Sequence, residues 1–192
     1  MDQEKRLIEA LRGNKSIQLI LGRAETLGMA DWYLGAGCIA QTVWNLQHGF
    51  DPDHGIRDYD LVYYDASDIS YEGEDVFIQR GKELFGDIRI PVEIRNEARV
   101  HLWYESHFGN RIDQYQSTED AISKFPTTAT SIGVTKKTNG TIRVYAPFGV
   151  DDIFDMIVRP NKAQITEKIY GDKFTGWLKV WPKLKVIPWN DK

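Results

Sequence analysis

Residues 32–64 have the sequence WYLGAGCIAQTVWNLQHGFDPDHGIRDYDLVYY. This stretch begins with a short apolar run, Trp32-Tyr33-Leu34, which ends in the small residues Gly35-Ala36-Gly37. Over residues 38–46 the apolar side chains then recur at helical spacing. The change of period predicts a strand, a tight turn and a helix, in that order.

A second strand is predicted where this stretch ends. Residues 48–57 contain two glycines and a proline, which is typical of a loop. Residues 58–64 are rich in the aromatic and β-branched side chains that favour a strand. Because side chains alternate along a strand, we expect the carboxylates of Asp58 and Asp60 to point to the same face.

The rest of the chain extends this pattern to a mixed α/β fold. Residues 1–30 predict two helices, each with an apolar stripe. Further helices are predicted at residues 71–84, 98–108, 118–124, 151–156 and 162–178, a strand at 90–95, and a hairpin over 131–145 that turns at Asn139-Gly140. This order predicts a mixed sheet flanked by helices, with an additional C-terminal hairpin and helices, and a ligand along one edge of the sheet.

Three acidic residues predict a metal site in this fold. Two carboxylates a few ångströms apart, such as Asp58 and Asp60, repel one another unless a cation lies between them. Glu93 lies in the predicted strand 90–95 and completes a three-carboxylate cluster if the two strands are neighbours. Ligands of this kind suit Mg²⁺ or Mn²⁺ rather than Zn²⁺. An Asp-x-Asp pair taken alone also fits a solvated surface strand.

The turn Gly35-Ala36-Gly37 is a candidate phosphate site. Small residues at this point let a phosphate approach the N–H groups at the start of the following helix. No Lys-Ser or Lys-Thr follows, so the turn is not a Walker A loop, and it equally fits a purely structural turn. Arg57 precedes the acidic pair and has two alternatives, a hydrogen bond to a phosphate or an ion pair with Asp58 or Asp60.

These motifs together resemble a known superfamily. Leu34-Gly35-Ala36-Gly37 before a helix, then Asp58-Tyr59-Asp60 and Glu93, is similar to the nucleotidyltransferase superfamily, which includes the β-type DNA polymerases and the tRNA CCA-adding enzymes. A closer resemblance, to a bacterial family of uncharacterised nucleotidyltransferase-like proteins, rests on four segments: residues 35–49, 56–75, 92–109 and 145–161. It extends from about Trp32 to Trp189.

The resemblance implies a reaction and a set of site residues. Gly35 and Gly37 become the glycines that phosphates approach, Asp58 and Asp60 the metal ligands, and Glu93 the third carboxylate. The implied reaction transfers a nucleoside monophosphate from a nucleoside triphosphate to a hydroxyl acceptor, with Mg²⁺ or Mn²⁺ as cofactor.

Two departures from the superfamily pattern leave alternatives open. Ala36 occupies a position often held by glycine, and the loop of residues 47–57 is longer than in minimal members. Either departure is compatible with a catalytically silent module that senses nucleotides or binds proteins. A small RNA-binding protein that uses Arg95, Arg99 and nearby aromatic residues is a third possibility.

Length and composition favour one globular domain. The chain has 192 residues, of which 42% are hydrophobic and 27% charged, and no linker rich in Pro, Gly or Ser divides it. We expect a single domain over 1–192, with N-terminal helices in 1–30, a catalytic core in 31–110 and a C-terminal extension in 111–192.

Net charge and cysteine content restrict the expected cellular location and the classes of binding partner. The net charge of −4 argues against extended binding of nucleic acid through overall charge. The single Cys38 fits a reducing compartment, and no apolar run approaches the roughly 20 residues that span a bilayer. We therefore expect a cytoplasmic protein with no membrane partner.

Overall fold

The structure is a computed structural model that describes residues 3–190. The helices are α1 (Gln3–Arg12), α2 (Lys15–Arg23), α3 (Gly37–His48), α4 (Tyr71–Leu84), α5 (His101–Phe108), α6 (Thr118–Ser123), α7 (Asp151–Phe154) and α8 (Glu167–Val180). The strands are β1 (Tyr33–Gly35), β2 (Tyr59–Tyr63), β3 (Val92–Asn96), β4 (Gly133–Lys136), β5 (Ile142–Tyr145), β6 (Ile157–Val158) and β7 (Lys185–Val186).

Five strands form one mixed sheet in the order β3-β2-β1-β4-β5. The central strand β1 is antiparallel to both of its neighbours, whereas β2 and β3 are parallel. The hairpin is β4–β5, in which Gly133 lies opposite Tyr145 and Lys136 lies opposite Ile142. The predicted mixed α/β fold with a C-terminal hairpin and flanking helices is thus confirmed.

The two faces of the sheet pack against different groups of side chains. Leu34, Leu61 and Ile94 belong to the main hydrophobic core, which also contains the apolar faces of α1, α2 and α3. On the opposite face, Val62 packs in a smaller cluster with Tyr33 and Ile122. Because Asp60 alternates with Leu61 along β2, its carboxylate lies on the side of the smaller cluster.

Several predicted boundaries differ from the structure by a few residues. Strand β2 begins at Tyr59, so Asp58 immediately precedes the strand instead of lying in it. Helix α8 begins at Glu167 rather than near residue 162, because the Thr166 hydroxyl caps it by accepting a hydrogen bond from the N–H of Ile169 at 3.3 Å. The division of the chain at residues 30 and 110 stays a prediction.

The sequence did not predict the small parallel sheet β6–β7. The N–H of Lys185 donates to the carbonyl of Met156 at 2.7 Å, and the N–H of Ile187 donates to Val158 at 2.9 Å. These bonds hold the C-terminal tail beside the residues that follow α7. Strands of two residues are too short to show an alternating pattern. Within residues 3–190, no helix has the length and hydrophobicity needed to cross a bilayer.

Candidate active site

One row of residues crosses three neighbouring strands. Gly35 of β1 pairs with Asp60 of β2, and Asp60 pairs with Glu93 of β3. Directly paired residues on neighbouring strands project to the same face of a sheet. The predicted adjacency of the third acid and the acidic pair is therefore present, although Asp58 reaches the group from the residue before β2.

The carboxylates of Asp58 and Asp60 are partly buried, and in the described part of the chain neither is paired directly with a basic side chain. Burial, together with the charge of Asp58, raises the pKa of Asp60 to about 7. Burial also raises the pKa of Asp58, with a second contribution from Glu93. Within residues 3–190, neither carboxylate accepts a hydrogen bond or forms an ion pair with a side chain. This acidic pair has the electrostatics of a cation site.

Glu93 has different surroundings from the acidic pair. Its side chain is 48% exposed, and its Oε2 atom lies 3.0 Å from Nη2 of Arg95. Among the residues that the structure describes, no group of three His, Cys, Asp or Glu side chains is arranged to hold a metal ion. The donor set present is therefore the acidic pair, which fits a hard divalent cation that keeps several water ligands. The predicted role of Glu93 as a third ligand stays a prediction.

A cavity of about 380 Å³ opens beside the acidic pair. The turn before α3 contributes Ala36 and Gly37 to its wall, and the loop before β2 contributes Arg57. Helix α8 forms another side, with Lys173 and Trp177 among the lining residues. The cavity thus combines small residues, acids and bases at the C-terminal end of β1 and the start of β2.

The three residues of the turn differ in how strongly their surroundings and backbone conformation restrict the side chain. A Cβ atom on Gly35 would lie 2.8 Å from the carbonyl oxygen of Ile132, so this glycine is required by the close approach of β4. A Cβ atom on Gly37 would meet only the flexible side chain of Gln41, at 2.9 Å. Ala36 has φ 60° and ψ −138°, a conformation that glycine adopts readily and alanine does not. The structure therefore associates Gly37, rather than Gly35, with access to the cavity.

Arg57 is exposed at the cavity and forms no ion pair with Asp58 or Asp60 in the described part of the chain. Its charge nevertheless lowers the pKa of Asp58. Of the two alternatives for Arg57, the direct ion pair is therefore not observed.

Lys173 was not among the predicted site residues. It lowers the pKa values of both acids from its position on α8, although burial is the larger effect on each. The sequence contains no signal for this role, because Lys173 is one of several lysines in a helical stretch and only its packing distinguishes it.

Buried contacts hold α8 in place over the cavity. Trp44 packs edge-on against both Trp177 and Trp181, with ring centroids 5.6 Å apart in each pair. The Nε1 atom of Trp181 donates to Oδ1 of the buried Asn45 at 2.6 Å. The amide of Asn45 also donates to two carbonyls of the loop that leads to Asp58, at 3.0 and 2.8 Å. Helix and loop therefore share one buried hydrogen-bonding centre.

Trp103 lies outside this cavity. It is partly buried and lines a separate groove of about 490 Å³ along β3, with the guanidinium of Arg95 5.3 Å from its ring centroid. Trp103 also packs against the small hydrophobic cluster that contains Val100 and Tyr104, and it does not line the acidic cavity.

Comparisons with known proteins identify the family and the fold of this chain. A family model described as Nucleotidyltransferase matches residues 22–186. A solved structure described as "The NMR structure of the protein reveals a CCA-adding enzyme head domain" matches with a TM-score of 0.77 and 26% sequence identity, over 96% of this chain and 95% of that chain. No curated protein matches the chain. The family match includes β1, the turn, the acidic pair, Glu93 and α8, and it confirms the superfamily resemblance: the chain belongs to the nucleotidyltransferase family.

Proposed function

We propose that this protein transfers a nucleoside monophosphate from a nucleoside triphosphate to a hydroxyl acceptor in a metal-dependent reaction. The observation that carries the proposal is the position of the acidic pair, Asp58 and Asp60, which lies beside the turn at the start of α3 and has no side-chain partner among the described residues. Membership in the nucleotidyltransferase family supports the reaction class. The metal, the nucleoside triphosphate and the hydroxyl acceptor are parts of the proposal.

Asp58 and Asp60 would hold Mg²⁺ or Mn²⁺. A divalent cation offsets the repulsion and desolvation that raise the pKa values of this pair. Such an ion, when bound, neutralises charge on the triphosphate and on the leaving pyrophosphate.

The turn and Arg57 would bind the phosphate chain. N–H groups at the start of a helix carry a partial positive charge and bind anions, and α3 begins at Gly37 with no side-chain cap to occupy them. Ala36 and Gly37 leave room for a phosphate at this end of the cavity. The guanidinium of Arg57 supplies two parallel donors at its rim.

Glu93 would act on the acceptor. Its ion pair with Arg95 is exposed, and such pairs contribute only about 0–1 kcal/mol, so the carboxylate exchanges this partner at little cost. In the proposed step, the acceptor oxygen bonds to the α-phosphorus while the bond from that phosphorus to the bridging oxygen of pyrophosphate breaks. The hydroxyl proton passes to Glu93.

The test uses the full chain with Mg²⁺, a cell extract as the source of acceptors, and each of the four nucleoside triphosphates labelled at the α-phosphate. We expect label to move to an acceptor with release of pyrophosphate. Asp60→Asn should lower this transfer by about a thousandfold, since it removes one of two ligands at the reacting phosphate. Asp113→Asn, at an exposed position outside the cavity, should leave it unchanged.

Two results would contradict the proposal. Transfer at the wild-type rate by Asp60→Asn would show that the acidic pair does not carry the reaction. Binding of a triphosphate by the wild type with no transfer of label would instead support a catalytically silent nucleotide-sensing module.

A further inference from the structure

Helix α8 presents one face to the cavity beside the acidic pair. Lys173, Gly176, Trp177 and Val180 all line the cavity, and their spacing of three and four residues places them on the same side of the helix. The volume of about 380 Å³ lies within the range of small-molecule sites. The face therefore forms one wall of a space large enough for a nucleotide.

Gly176 leaves this wall open at its centre. A Cβ atom on Gly176 would meet nothing within 4 Å among residues 3–190, so packing against this part of the chain does not require a glycine. A glycine in a helix interior is less favourable than alanine. The missing side chain instead leaves free volume next to Trp177, on the side of the cavity.

Trp177 is held in a fixed orientation. Its indole packs edge-on against the buried Trp44 at 65°, and the residue remains only partly buried. An aromatic ring that is held on one side and open on the other can stack on a nucleobase, as aromatic side chains do in single-stranded nucleic acid complexes.

Lys173 lies one helical turn before Trp177, towards the acidic pair. Its charge interacts with those of Asp58 and Asp60, and in the described part of the chain its ammonium forms no ion pair or hydrogen bond. A cation near the metal ligands and without a fixed partner is well placed for a phosphate oxygen.

We propose that α8 is the nucleotide-recognition wall of the cavity, with Trp177 stacked on the nucleobase, Gly176 leaving space for the base and Lys173 bound to a triphosphate oxygen. The proposal rests on the proposed function, because it requires a nucleoside triphosphate in this cavity. It assigns nucleotide recognition to the C-terminal part of the chain, whereas the proposed metal ligands lie in strand β2 and immediately before it.

Two glycines of α8 provide a matched test. Gly171→Leu and Gly176→Leu make the same change in the same helix, and a Cβ atom at either position meets nothing within 4 Å. Only Gly176 lines the cavity. Leucine has a higher helix propensity than glycine, so both variants should fold.

Binding of ATP, GTP, CTP and UTP with Mg²⁺ is measured by isothermal titration calorimetry. We expect Gly176→Leu to weaken the affinity of the best ligand by at least about tenfold and Gly171→Leu to leave it within about twofold. Lys173→Met should weaken the affinity for the triphosphate by about tenfold. It should leave the affinity for the corresponding nucleoside unchanged, since the nucleoside has no phosphate.

The outcomes separate this inference from the proposed function. If the wild type binds a triphosphate and Gly176→Leu binds it equally well, the proposed role of α8 is wrong. The proposed transfer reaction is not contradicted by this result. Equal weakening by both leucine variants would also overturn the inference, because the effect would then belong to the helix and not to the cavity. If the wild type binds none of the four triphosphates, both proposals fail.

Discussion

Asp60 lies directly beside Glu93 across the parallel strands β2 and β3, yet the two carboxylates have different surroundings. Asp60 is partly buried and has a pKa raised to about 7, whereas Glu93 is half exposed and paired with Arg95. Two carboxylates on neighbouring strands thus differ in solvation: that of Asp60 is largely desolvated, and that of Glu93 is in contact with solvent. This contrast motivates different roles for the two acids.

Replacing Glu93 should affect the reaction more than binding. We expect Glu93→Gln to lower the rate of nucleotidyl transfer by about 10²–10⁴-fold, the usual contribution of a general base, with the affinity for triphosphate and Mg²⁺ nearly unchanged. Single-turnover kinetics and calorimetry measure the two effects separately. Glu105→Gln, which removes a comparable surface ion pair with Arg111, is the control and should alter neither. Loss of affinity at an unchanged rate would place Glu93 in binding instead.

Glu97 should make stability depend on pH. It is buried, and burial, aided by the charges of Asp60 and Glu74, raises its pKa from 4.5 to about 8. The folded state therefore retains a proton that the unfolded state releases, so this group lowers stability progressively as pH rises from about 4.5 to about 8.

The variant Glu97→Gln removes this titration. We expect it to be more stable than the wild type by a few kcal/mol, roughly, at pH 9, and the difference to shrink towards zero near pH 5. Urea unfolding of both proteins across this range measures the difference. A constant difference at all pH values would show that Glu97 titrates normally.

Ala36 should be a strained position in the turn. Its φ of 60° with ψ −138° favours glycine, so Ala36→Gly should raise the free energy of unfolding by about 1 kcal/mol. Ala10→Gly, inside α1, should have the opposite effect and lower it by about 0.5–1 kcal/mol. Chemical denaturation measures both. Equal destabilisation by the two substitutions would mean that the backbone at residue 36 is not strained.

Asn45 should couple α8 to the loop before the acidic pair. Asn45→Ala leaves the indole N–H of Trp181 and two loop carbonyls without their partner, at a cost of about 2–4 kcal/mol. In a double-mutant cycle, the effects of Asn45→Ala and Trp181→Phe on the free energy of unfolding should show a coupling energy of about 1 kcal/mol. Additive effects of the two substitutions would argue against the buried hydrogen bond.

Several elements follow from local sequence alone. Helix α4 covers the predicted residues 71–84, because the Ser70 hydroxyl accepts a hydrogen bond from the N–H of Gly73 and begins the helix. The turn at Asn139-Gly140 determines the hairpin, since Gly140 adopts φ 82°. The change of period between β1 and α3 marks the turn beside the acidic pair. Each of these signals depends on neighbours within a few residues.

Only the tertiary structure decided how the distant parts of the site meet. The strand order places Glu93 beside Asp60, and the packing of α8 on Trp44 brings Lys173 and Gly176 to the cavity. Residue types and local periods determine which elements form and which faces are apolar. They do not determine which strand lies next to which, or which lysine of a helix faces an acidic pair, because those outcomes depend on the packing of side chains far apart in the chain.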